Sequence, residues 1–303
     1  MTTLAARRMA KERRELEKPN EDYFVKFKDN DDLLHFDAYV IGPADTPYQY
    51  KLALLRFEIP ERYPMVPPKV KFIQHDGGRI HPNLYVEGKV CLSILGTWPG
   101  EPWAFGMTCH TVLITVRSLL DDKPYKHEPN QHDNPNFNKY VEYSSWKCML
   151  FDYLSRAPDA DSKAFITRHI RDNADAMRAA LKAQASKNKL LKQLTTPYSG
   201  SSGAKPTVDY PNLITNLEAA IATAELDRPR DSSTKRSFTD TEAGVGPQND
   251  TEAETVRKKS KVTLGNSVVQ YDSHAVESEA GAGKSIGSAT SASKPPPEII
   301  DLT

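Results

Sequence analysis

Apolar and polar positions divide the chain into a long patterned part and an unpatterned one. Residues 3–17 are rich in Ala, Leu, Glu, Lys and Arg and are stopped by Pro19, which predicts a helix. Four strand-like runs follow: Tyr23–Lys28, Leu33–Ile41, Leu52–Ile59 and Lys69–Ile73. Turn chemistry separates them, at Asp29-Asn30-Asp31, from Gly42-Pro43 to Thr46-Pro47, and from Pro60 to Pro68. Connections this short predict an antiparallel meander. Along Leu52–Ile59 the alternation sharpens toward the end, as expected of a sheet with one covered face. From Gln74 to Gly106 periodicity lapses and Gly, Pro, His and Trp accumulate; structured loops of that length tend to be functional. Helical spacing returns in Val112, Leu113, Val116, Leu119 and Leu120, then over Asn136–Leu154 and Ser162–Leu194. Phe165, Ile166, Ile170, Met177 and Leu181 mark the core-facing side of the last segment.

After Leu194, Ser, Thr, Ala, Gly, Pro and charged residues dominate. Such a composition buries too little apolar surface to offset chain entropy, so residues 195–303 read as a mostly disordered tail. Pro211–Leu226 is the exception: Leu213, Ile214, Leu217, Ile221 and Ala224 keep helical spacing, for docking on the folded domain or on a partner. The predicted organisation is a folded domain over 1–155, a helical extension over 156–194 and the tail, with a helix at 211–226 inside it.

The bulk numbers narrow the class. Among 303 residues, Lys+Arg and Asp+Glu are both 40, so net charge singles out no partner and does not call for nucleic acid. No apolar run reaches the ~20 residues of a membrane span. Arg7 and Arg8 are not followed by the apolar stretch of a secretory signal. Cys91, Cys109 and Cys148 form neither a disulfide framework nor a Cys-x-x-Cys metal pattern, which fits a reducing compartment. Nucleus and cytoplasm are the expected locations, with Arg257-Lys258-Lys259-Ser260-Lys261 read either as an import patch or as a solvated charge run. Arg7, Lys11 and Arg14 share one helix face, which is either solvated or a docking surface for an acidic partner.

The chemistry concentrates in the run from His81 to Trp98. Asn83 and Cys91 lie at a fixed offset in a loop closed by Gly88. A thiol nucleophile beside an amide able to hold an oxyanion is the minimum apparatus for acyl transfer. His81 reads either as a general base for Cys91 or as a buried imidazole bonded to the loop. Asn83 reads either as an oxyanion donor or as a turn-holding side chain. Trp98 and Trp103 are expected to wall the loop, and Cys109 and Cys148 to be small core residues.

His81-Pro82-Asn83, the step to Cys91 and the segment Tyr63-Pro64-Met65-Val66-Pro67-Pro68-Lys69-Val70 together resemble the ubiquitin-conjugating enzymes. The order of helix, meander, active loop and helices fits as well. Gly88–Trp98, with Lys123-Pro124-Tyr125 and Glu128-Pro129, resembles the Z-type branch and the related O-type and inhibitor-of-apoptosis-fused enzymes. The resemblance covers roughly residues 3–155. It implies an α+β fold: an N-terminal helix, a four-stranded antiparallel meander, an active-site loop and C-terminal helices.

It further implies that Cys91 receives ubiquitin, or a ubiquitin-like protein, as a thioester from an activating enzyme and passes it to lysine or to a ligase cysteine. No cofactor is bound; ATP is consumed by the activating enzyme. Asn83 would stabilise the oxyanion or order the loop, with His81, Pro82 and Trp98 as loop support. Ser93 stands where many members carry Asp, so Asp121 or Asp122 is the candidate acidic gate. Arg7, Lys11 and Arg14 become a contact for the activating enzyme, and Met65 and Phe105 a contact for ligases. Ile299-Ile300-Asp301-Leu302, near the terminus, resembles a SUMO-interacting motif, which adds a strand to a sheet edge.

Overall fold

The computed structural model describes residues 3–29, 31–198 and 206–227. Helix α1 (Leu4–Leu16) starts at Thr3, whose hydroxyl accepts the Ala6 N–H. Its buried side carries Ala5, Met9, Glu12 and Leu16, while Arg7, Lys11 and Arg14 are exposed. Strands β1 (Tyr23–Phe27), β2 (His35–Ile41), β3 (Leu52–Glu58) and β4 (Lys69–Ile73) form one antiparallel sheet in chain order. β2 begins later than its apolar run because the Asp32 carboxylate accepts the Leu34 and His35 N–H groups and turns the chain there.

Helix α2 (Cys109–Leu119) is opened by a capping box between Thr108 and Thr111 and packs on β2 and α1. Helix α3 (Pro135–Trp146) starts at Asn134, whose side chain accepts the Asn136 and Phe137 N–H groups. A single π turn (Lys147–Phe151) joins it to α4 (Asp152–Ser155).

The segment Ser162–Leu194, which reads as one helix, is two: α5 (Ala160–Asp172) and α6 (Ala174–Lys187). Asparagine supplies the reason. The Asn173 amide donates to the His169 carbonyl, and the Asn188 amide to the Gln184 carbonyl. The first takes over a terminal carbonyl four residues back, the second adds to the backbone N–H already bonded to Gln184, and each closes its helix. Helix α7 (Tyr210–Leu226) packs on α5 and α6, with Leu213, Leu217, Ile221 and Ala224 buried and Arg178 forked onto Glu218. Among the described residues the buried apolar core forms one cluster from Ala5 to Ala224, so packing breaks at neither residue 155 nor residue 194.

The sheet also departs from the one-covered-face expectation. Leu52 to Leu55 are buried consecutively. The second face is covered at that end. The Tyr153 hydroxyl accepts the Leu54 N–H and donates to the Ile73 carbonyl. Phe165 of α5 stacks on Phe24 at 4.4 Å between centroids and meets Tyr39. The other end carries the Arg56–Asp37 and Lys69–Glu58 pairs. No helix among the described residues is long and apolar enough to cross a membrane.

Candidate active site

Beyond β4 the chain enters the long loop and stays attached to that strand's free edge. The Phe72 N–H donates to the Gly88 carbonyl at 3.0 Å, and Lys71 bridges to Lys89. Gly88 reverses the chain at φ +98°, where L side chains are strained, and its N–H donates to Tyr85. Leu84 then bridges to both His81 and Val90. The reversal brings the two chemical residues together. The Cys91 N–H donates to the Asn83 carbonyl at 2.9 Å, and the Asn83 amide donates to the Cys91 carbonyl at 2.8 Å. The eight-residue offset is therefore the length of a small hairpin closed by a reciprocal pair.

Thr97 holds the other flank. Its hydroxyl accepts the Leu92 N–H at 2.9 Å and donates to the Val90 carbonyl at 2.5 Å, one residue either side of Cys91. Trp98, read from sequence as loop support, is 39% exposed; the hydrogen bonds of support come from Thr97. No sequence signal singles out a threonine six residues past the thiol. Cys91 is only 1% exposed, so an acyl donor reaches it only after covering groups shift. Asn83 is 8% exposed, and its Oδ1 is buried without a hydrogen-bond partner.

His81 is fully buried and both ring nitrogens are engaged. Nδ1 accepts the Asn83 N–H at 3.0 Å, and Nε2 lies 2.9 Å from the Leu119 carbonyl, which only accepts, so the proton resides on Nε2. Burial, with smaller effects from His127 and Arg79, depresses its pKa to about 3. A neutral imidazole with no free lone pair is not a base for Cys91; it links the loop to the end of α2. Its ring lies 5.2 Å from that of His127, whose Nε2 is 2.9 Å from Asp121. Asp121 also accepts the Lys123 N–H, while Asp122 stands 3.4 Å from the Lys123 ammonium. Pro82 is held through its carbonyl, which accepts from Arg79, as does the His81 carbonyl at 3.2 Å. Burial pushes the Cys109 thiol up, and the Cys148 thiol up to about 12.

A second surface lies apart from this loop in its construction. Met65 is 61% exposed and Phe105 56%. Beneath them the buried Glu12 carboxylate accepts from Arg8 Nε, from the Tyr63 hydroxyl at 2.6 Å and from the Cys109 N–H at 2.9 Å. Arg8 also donates to the Met107 carbonyl, and Trp103 Nε1 to the Pro64 carbonyl at 2.8 Å. Trp103 thus braces the Met65 loop, whereas the sequence suggested the Cys91 loop. Ile299, Ile300, Asp301 and Leu302, and the basic run 257–261, lie outside the described residues. Among the described residues no group of three His, Cys, Asp or Glu could hold a metal ion.

Residues 8–145 match the family described as "Ubiquitin-conjugating enzyme". With the meander and the paired Asn83 and Cys91, the match defines the class of this segment: residues 8–145 are similar to the ubiquitin-conjugating enzymes. Proteins of the Z-type branch are among the relatives the chain is similar to. Over 134 residues it is 39% identical to ubiquitin-conjugating enzyme E2 Z of Danio rerio, a match covering 42% of this chain and 41% of that protein. For ubiquitin-conjugating enzyme E2 Z of Homo sapiens the identity is 37% over 134 residues, covering 42% and 38%. The chain thus spans roughly two fifths of the length of these curated relatives. The solved structure of human ubiquitin-conjugating enzyme E2 G1 aligns at 36% identity with a TM-score of 0.32, covering 38% of this chain and 89% of that one.

Proposed function

We propose that the protein accepts ubiquitin on Cys91 as a thioester and transfers it to lysine or to a ligase cysteine. The observation that carries this reading is the reciprocal Asn83–Cys91 pair. In the first step the Cys91 thiolate attacks the carbonyl carbon of the ubiquitin C-terminus, itself a thioester on the activating enzyme. A new C–S bond forms and the old one breaks, releasing the activating enzyme's thiolate. In the second step an amine attacks the same carbon, the Cys91 Sγ–C bond breaks, and the amine loses a proton. The amine step makes a tetrahedral oxyanion before that bond breaks. The Asn83 amide has two N–H groups, and only one is used by the Cys91 carbonyl. The second is a donor for that oxyanion, while the first orders the loop, so the two roles read from sequence coexist.

His81 takes no part as a base. Asp121 is engaged by His127 and the Lys123 N–H and Asp122 only by the longer contact to the Lys123 ammonium, so Asp122, the more exposed of the two, is the carboxylate better placed to receive an incoming ammonium. Arg7, Lys11 and Arg14, exposed on α1, suit an acidic surface of the activating enzyme; Met65 and Phe105 suit a ligase. ATP enters the proposal only through the activating enzyme. Nucleus and cytoplasm, and SUMO as a partner of residues 299–302, belong to the same proposal.

The decisive experiment mixes the full chain with activating enzyme, ATP and ubiquitin. A thiol-sensitive adduct is expected, and it is absent for Cys91→Ala. One observation favours a second reading, a fold that binds ubiquitin without being charged: the thiol is almost wholly covered. No adduct with ubiquitin or with any ubiquitin-like protein would establish that reading instead.

A further inference from the structure

Between α6 and α7 the described residues are fastened to one another and to the domain. Leu194 N–H donates to the Pro206 carbonyl and Val208 N–H to the Lys192 carbonyl, fastening residues 192–194 beside 206–208. A few residues on, Tyr198 reaches the active loop. Its ring covers the Arg79 guanidinium at 4.3 Å, and Tyr85, inside the Asn83–Cys91 hairpin, covers it at 3.5 Å. The fork of that same guanidinium donates to the carbonyls of His81 and Pro82. Tyr198 also donates its hydroxyl to Glu128 at 2.6 Å and meets the rings of Tyr125 and Phe137 edge-on. One side chain therefore spans the loop that carries Asn83 and the segment that follows Asp121 and Asp122. Residue 198 lies outside the family match, which ends at residue 145.

We infer that Tyr198 is a positioning residue for acyl transfer: through Arg79 it fixes the His81-Pro82-Asn83 turn, and so the Asn83 amide at Cys91. The inference rests on the proposed thioester reading. A planar guanidinium in contact with two rings keeps one orientation, so its fork holds two carbonyls at once. Without Tyr198 one ring is lost and Arg79 gains rotational freedom. The burden falls on the amine step, in which a free Asn83 N–H must meet a developing charge with little tolerance in position. Burial and the neighbouring Glu128 carboxylate raise the Tyr198 pKa, which keeps the hydroxyl a donor.

The test uses the full chain with Tyr198→Ala, Tyr198→Phe and Arg79→Lys. Single-turnover charging by activating enzyme and ubiquitin, and discharge of the thioester to free lysine, are measured separately. Thermal unfolding and amide hydrogen exchange over residues 81–91 are followed alongside. Tyr198→Ala should slow discharge about tenfold, with charging within about threefold of wild type and exchange over 81–91 accelerated. Tyr198→Phe keeps the ring and should restore discharge. Arg79→Lys should resemble Tyr198→Ala, and the double variant should be no worse than either single one.

Normal discharge by Tyr198→Ala overturns the inference. So does a Tyr198→Phe as slow as the alanine variant, or an equal loss of charging and discharge. A wild type that forms no thioester instead removes the functional reading itself, and the transfer role falls with it.

Discussion

Around Cys91, polar side chains are used on backbone groups, mostly the loop's own: Asn83 on Cys91, Thr97 on Val90 and Leu92, His81 on Asn83 and on Leu119 at the end of α2. Around Met65 and Phe105 the polar contacts lie underneath, centred on Glu12, and the apolar side chains stand in solvent. The proposed reactive thiol is covered while the proposed docking side chains are displayed. The contrast shows where each region can tolerate change. A loop that spends its hydrogen bonds on itself is sensitive at every polar member. A surface resting on a buried carboxylate is sensitive only at that carboxylate.

Four tests probe this contrast, from the largest expected effect to the smallest. Asn83→Ala should still form the thioester but discharge to lysine roughly 100-fold more slowly, the scale of a lost oxyanion donor; equal loss of charging and discharge would reduce Asn83 to a loop support. Glu12→Ala strands the Cys109 N–H and the Tyr63 hydroxyl, and should cost about 3 kcal/mol in denaturant unfolding. An unchanged midpoint would mean that the docking surface stands without its buried base.

Acid gives the third test. The folded pKa of His81, about 3, lies below its ordinary value of 6.5, so the unfolded chain binds the proton more readily. Stability from a neutral His81 is complete above about pH 6.5 and is lost as pH falls toward 3, by about 1.4 kcal/mol per unit within that window. His169, depressed by burial, acts in the same direction. A flat unfolding profile between pH 6.5 and 4.5 would contradict the buried neutral imidazole. Met65→Ser and Phe105→Ser should weaken ligase binding while moving stability by less than about 0.5 kcal/mol, because neither is buried. A larger loss of stability would place them in the core and erase the contrast.

Legibility in the sequence followed the range of the interactions. The strands and most helix limits rest on local periodicity and caps, and Asn83 and Cys91 on a short motif, so both could be read directly. The break at Asn173 was missed because an asparagine that bonds back to a carbonyl looks like any polar residue within a helical stripe. Thr97 was missed because its partners are backbone atoms, which leave no mark on composition. Tyr198 lies more than a hundred residues from Arg79, in a stretch whose make-up reads as a tail, and only the fold brings the two together. His81 showed the reverse: the residue was evident, and its inertness emerged only once both nitrogens were seen to be occupied.

The covering of β3 has a practical consequence for anyone dividing this protein. A fragment cut at the end of the family match would lose Phe165 and Tyr153, and with them the lid over Phe24, Tyr39 and Leu54. The new surface would be an apolar strip on an open sheet, the kind that associates with copies of itself. The appended helices therefore cover the sheet, and the smallest self-contained unit of this chain is larger than the family match over residues 8–145.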